Sequence, residues 1–302
     1  MSTTAEVLEK LRGLDGPTIL AIVDAFGGRE NLDAVLRGEK KMAFEDVIRK
    51  LIDKNGRCIP KELTGNVCDP NKNFKLVQPK IDYAERINSL TSLYAESMQL
   101  ISTEEFAKRS EELFEQLRND SLLLNLLNGV WLPICLPKLE VTDYGKSLEE
   151  IFLVVAEKSY RQQFPNRSFN NYRKGELTGK VGIIEGSGHE KLLAKMAEGP
   201  VVGILFFPTQ GFSINAGRQQ MAVLPESLLL SGAIDIMTAV AMYPDVLGKN
   251  YNTPGYLCAA NSWQSAEYSL YAKANDGYFN FNCTDNLADA NDSYSSGLLF
   301  IG

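Results

Sequence analysis

Tyr268-Ser-Leu-Tyr-Ala-Lys-Ala274, Asn275-Asp-Gly277 and Tyr278-Phe-Asn-Phe-Asn-Cys283 form the stretch that decides the fold class. An Asn-Asp-Gly turn supplies residues that tolerate the left-handed backbone a tight hairpin needs. After the turn Phe279, Phe281 and Cys283 alternate, so they share one face of a strand. A β-hairpin therefore occupies the C-terminal end, and Leu298–Ile301 adds a last short strand. Upstream, Ala233–Met242 reads as a buried helix stopped by Pro244. Lys180–Glu185 and Val201–Phe207 read as strands. Between them lie Gly186-Ser-Gly188 and a helix, His189–Glu198, closed by Gly199-Pro200. Strand, helix and strand in that order predict a parallel crossover. Val130–Leu136 is apolar but holds Pro133, which suits an edge strand. Ser147-Leu-Glu-Glu150 is a capping box that predicts a helix start.

Toward the N-terminus the pattern is helical. Residues 1–58 read as a small helical domain with helices at Ala5–Leu14, Thr18–Phe26 and Asn31–Leu36. Residues 59–80 are linker-like, rich in Asn, Gly, Pro and Lys. Residues 81–128 predict an αα-hairpin, whose second helix opens on the capping box Ser102-Thr-Glu-Glu105. Residues 129–302 form a mixed α/β domain. The expected class is α+β: an N-terminal helical part followed by a mixed α/β part with a β-rich C-terminal tail.

Several segments carry a resemblance. Asp15-Gly-Pro-Thr, Ala25-Phe-Gly-Gly28 and Leu36-Arg-Gly-Glu39 resemble a leader found in a family of hypothetical proteins of candidate-phylum bacteria. Asn171-Tyr-Arg-Lys-Gly-Glu176, Ala197-Glu-Gly-Pro-Val-Val-Gly203, Met242-Tyr-Pro-Asp-Val246 and Ser296-Gly-Leu-Leu-Phe300 are similar to further segments of that family. The resemblance implies bacterial kinship and carries no activity, cofactor or catalytic residue.

Composition narrows the function. The 302 residues include 31 basic and 38 acidic side chains, a net charge of −7, which argues against a protein that coats DNA. The single histidine excludes two-His and three-His zinc centres. The five cysteines hold no C-x-x-C pair, which predicts reduced thiols and a cytoplasmic, soluble protein. No apolar run reaches the ~18–20 residues that span a bilayer, so no membrane partner is expected.

Three segments could carry chemistry. Gly186-Ser-Gly-His-Glu-Lys191 has a strand-turn-helix context suited to phosphate, but Lys191 stands where the dinucleotide fingerprint needs glycine, so no cofactor is expected. His189 could act as general base toward Ser187, Cys258 or Cys283 in a hydrolase or transferase. The plainer reading is a surface or capping histidine. The tail from Asp276 to Asp292 is rich in oxygen ligands, yet self-capping Asx turns explain it better than Ca²⁺, and no metal is expected.

The segment 160–180 interleaves the cations Arg161, Arg167, Arg173, Lys174 and Lys180 with Tyr160, Phe164, Phe169 and Tyr172. That composition stacks bases and neutralises phosphates, so it could contact single-stranded nucleic acid, another polyanion or another protein. The plainer reading makes the aromatics core anchors and leaves the arginines solvated or paired. The expectation is a binding or interaction protein, with the hydrolase as the alternative.

Overall fold

The structure, a computed structural model, describes residues 16–37, 39–40 and 51–302. The expected helix Ala5–Leu14 lies outside them. The chain divides into two compact units, 1–48 and 49–302.

In the first unit, α1 (Gly16–Ala25) and α2 (Arg29–Leu36) are joined by Gly27-Gly28. The amides of Gly27 and Gly28 bond the carbonyls of Asp24 and Val23, a Schellman stop that satisfies the last carbonyls of α1.

The second unit is α+β. It opens with α3 (Tyr83–Leu93), capped by Asp82, and α4 (Thr103–Asn119), where the Ser102 hydroxyl accepts from Glu105 N at 3.2 Å as the capping box predicts. These helices and the 51–80 segment are continuous with the main core. Ile52, Cys58, Ile87, Leu90, Phe106 and Leu117 are buried in one cluster with the sheets. Within residues 59–80, expected to be linker-like, Leu63 and Leu76 pack against that core.

One antiparallel sheet has the order β1 (Trp131–Leu136), β4 (Val201–Phe206), β11 (Leu298–Phe300) and β5 (Leu228–Leu230). Pro133 lies on β1, an edge strand, where a missing N–H breaks no inner ladder. The second sheet has the order β10 (Tyr294–Ser296), β6 (Gly255–Cys258), β8 (Ser269–Ala274), β9 (Tyr278–Thr284) and β2 (Ser168–Asn171). The β8–β9 pair is the expected hairpin, with Phe279 and Phe281 fully buried. β3 (Val181–Ile183) pairs with β7 (Asn261–Trp263) and lies in a different sheet from β4, so the expected parallel crossover does not form.

A second expectation is corrected at α5 (Tyr144–Ser147), which runs through a π turn, Leu148–Phe152, into α6 (Leu153–Gln163). The helix starts at Asp143, whose carboxylate accepts from Lys146 N at 2.8 Å. Ser147 is therefore interior, and Glu149 turns outward to bind the amides of Gly175 and Leu177. The remaining helices are α7 (His189–Glu198), α8 (Ile214–Gln220), α9 (Ala233–Met242) and α10 (Pro244–Leu247). No helix among the described residues is long and apolar enough to cross a membrane.

Candidate functional site

Helix α9 is buried along all ten residues, so water cannot satisfy the free N–H groups at its start. Its own Asp235 and side chains from two other elements do so. Gly232 N donates to Asp235 Oδ1 at 2.8 Å, Ala233 N to Asn261 Oδ1 at 2.7 Å and Ile234 N to Tyr144 Oη at 3.1 Å. Because Tyr144 Oη accepts that bond, its own proton is available to His189 Nε2, 3.0 Å away. The imidazole proton then resides on Nδ1. That atom faces the Leu230 carbonyl and lies 3.9 Å from Asp235, without a well-formed hydrogen bond.

Burial controls the charge of this network. It pushes His189 down to about 4 and Asp235 up to about 7, although amides of Gly232, Asp235 and Ile236 favour the carboxylate. Both groups are therefore neutral between those values. Ser187, 2% exposed, accepts from the His189 main-chain N at 3.3 Å, while the imidazole is engaged by Tyr144. A Cβ on Gly232 would lie 2.6 Å from Tyr144 Oη, 2.7 Å from Asn261 Oδ1 and 2.8 Å from His189 Cε1. The network caps a helix in a space that does not hold one extra carbon. Burial also raises the thiols of Cys258 and Cys283, so neither is a ready thiolate.

The 160–180 segment divides. Tyr160 is fully buried beside Phe164, Phe169 and Phe279, and Phe169 stacks on Phe279. Arg161 pairs with Glu157, and Arg173 pairs with Glu176 over the Trp263 ring. Arg167 covers Phe164 and donates to the Lys249 carbonyl at 2.5 Å. Only Tyr172, at 52% exposure, presents an open ring among the four aromatics. Lys174 and Lys180 are exposed and make no ion pair among the described residues. In the tail, Asn291 Oδ1 accepts from Ser293 N at 3.0 Å, an Asx turn. Among the described residues no three His, Cys, Asp or Glu side chains gather as metal ligands.

A cationic recess of about 400 Å³ lies where the two sheets meet, at the end of β4 and the middle of β10. Arg57 and Lys75 line it, with Phe206 and Phe207 on the apolar side and no acidic residue in its wall among the described residues. Its rim depends on Gly56, at φ +80°, where a Cβ would sit 2.5 Å from Gly129 N. The Arg57 guanidinium is fixed by Nη2 donating to the Gln210 carbonyl at 2.6 Å. Its Nε is buried without a partner, and no carboxylate pairs with it among the described residues. The Gln210 amide bonds the carbonyls of Asn71, Phe74 and Asp292, which fixes the loop carrying Lys75. Lys273 is set among the rings of Phe74, Tyr251 and Tyr294 and so contacts that loop at Phe74.

The chain matches no family model, no curated protein and no solved structure. Its site is therefore read from its own chemistry. Arg57 and Lys75 escaped the sequence reading because their segment read as a connection. A signal was present: residues 55–80 hold five basic and two acidic side chains in a chain of net charge −7. Asp235 was also visible as the one acid in the apolar run Ala233–Met242.

Proposed function

We propose that this chain is a binding protein for a small organic anion held at Arg57 and Lys75. The observation that carries this reading is a concave, partly apolar recess whose two cations make no ion pair, and whose wall holds no carboxylate, among the described residues of an otherwise acidic protein. The phenylalanines suit a ligand with an apolar body, and the guanidinium suits a carboxylate or phosphate head.

Thermal unfolding with hexanoate and with inorganic phosphate tests it. Ligand at about 100 times its Kd stabilises the native state by about 2.7 kcal/mol, enough to raise Tm by several degrees. The rise is expected for the wild-type chain and is lost in Arg57→Met. Lys75→Met, a change at an exposed side chain, is expected to weaken it without loss of fold. Equal Tm rises in the wild type and both variants would refute the reading.

A second reading places single-stranded nucleic acid over Tyr172, Lys174 and Lys180, favoured by the exposed Tyr172 ring.

A further inference from the structure

We infer that the Arg57 recess and a second recess behind residues 75–79 form one site for a small dianion, its two charged ends lying on opposite sides of that segment. This rests on the anion-binding reading above. Lys75, Leu76 and Gln78 belong to the walls of both recesses, and the second has a volume of about 360 Å³.

The charges on the far side support a second anionic end. Asp245 is the one carboxylate there among the described residues, and Arg86 neutralises it with bonds of 2.6 and 2.9 Å. Lys249, in the same wall, makes no ion pair among the described residues. Arg167 lies behind it, bonded to the carbonyls of Gly248 and Lys249 and to no carboxylate. Unpaired cations thus stand on both sides, Arg57 on one and Lys249 on the other, with Lys75 common to the two. Leu76 separates them, which matches a ligand with charged ends and a carbon middle.

The intervening segment is held at few points. Lys75 N bonds Asn252 O at 3.2 Å, and the Gln78 side chain makes two bonds to the Trp131 main chain at 3.2 and 2.9 Å. Leu76 and Val77 make no main-chain hydrogen bond among the described residues, and Val77 is 64% exposed. Leu76 packs against the core while Val77 stands in solvent, so few contacts oppose a small outward shift at Val77 to seat an elongated ligand.

Isothermal titration tests this with the full chain. The probes are unbranched α,ω-dicarboxylates from succinate to suberate, propane-1,3-diyl bisphosphate, and hexanoate and inorganic phosphate as single-headed controls. The best dianion is expected to bind about tenfold tighter than the control with the same head group, with an optimum chain length. The dicarboxylate and bisphosphate arms tell which head group the site prefers. Lys249→Met is expected to lower the dianion to the affinity of the control. No dianion advantage, or equal weakening of dianion and control by Lys249→Met, would overturn the inference while leaving the Arg57 site standing. Binding of a single-stranded oligonucleotide that needs Lys249, with no dianion advantage, would also overturn it. If neither dianions nor controls bind, the anion-binding reading itself falls.

Discussion

Gly145→Ala should lower the unfolding free energy by about 3 kcal/mol or more, among the larger effects of a single methyl group. The added Cβ would lie 1.8 Å from the Leu177 carbonyl oxygen and 2.4 Å from its carbon. These are main-chain atoms, and they have little freedom to retreat. The loop that carries them is tied to the same helix by Glu149, which accepts from the amides of Gly175 and Leu177. Asp143 adds a bond from Gly179 N at 2.9 Å. In an open helix the same change would stabilise by about 1 kcal/mol through helix propensity, so the two expectations differ in sign. Urea unfolding followed by circular dichroism distinguishes them. A midpoint equal to or above the wild-type value would contradict the close approach of the 175–179 loop to α5.

The second large effect is pH dependence revealed by single substitutions at the buried network. Asp235 is raised from 3.8 to about 7 in the folded state. Its contribution to stability is fully present below 3.8 and is lost as the pH climbs through 7. His189 is lowered from 6.5 to about 4, so its contribution is present above 6.5 and is lost as the pH falls through 4. Between pH 7 and 4 the two oppose each other, at roughly 4 kcal/mol for the acid and roughly 3 kcal/mol for the imidazole. Wild type should therefore show little net pH dependence from this pair. Asp235→Asn removes the gain on acidification, so its stability relative to wild type should fall by several kcal/mol from pH 7 to pH 4. His189→Asn should move the other way, gaining on wild type over the same range. Chemical denaturation at four or five pH values measures both. Parallel curves for the three proteins would mean that neither group is buried as described.

The elements legible in the sequence are those whose cause is local. The Asn275-Asp-Gly277 turn, the Ser102 cap and the Pro133 edge strand each act within a few residues, and each stands where local chemistry puts it. The misread elements depend on competition or on distant partners. Asp143 caps the helix ahead of Ser147, because the cap that extends the helix by a turn also brings Tyr144 to the start of α9. β3 finds β7 eighty residues away instead of its near neighbour β4, a pairing that no pattern within 180–206 specifies.

The site was less legible for the same reason. His189 was visible as the lone histidine, but its neighbours Tyr144 and Asp235 come from two other elements. The aromatics of the 160–180 segment were visible too, but whether each faces the core or solvent depended on strand register: Phe169 faces Phe279, while Tyr172 is open. Arg57 and Lys75 line one recess because residues far apart in sequence hold their loops there, and Gln210, from the turn after β4, bonds both loops.

The most direct test of the anion site is the Arg57 Nε–H resonance in a ¹H–¹⁵N spectrum, assigned by its loss in Arg57→Met and followed as inorganic phosphate or hexanoate is added. That nitrogen has no partner among the described residues, whereas Arg218 Nε already donates to the Ala259 carbonyl at 2.9 Å and serves as the internal control. The account predicts a saturable shift at Arg57, with the Arg218 signal unmoved, as an anion in the recess settles against the guanidinium. An Arg57 signal that stays in place under excess anion, or moves no more than that of Arg218, would contradict it.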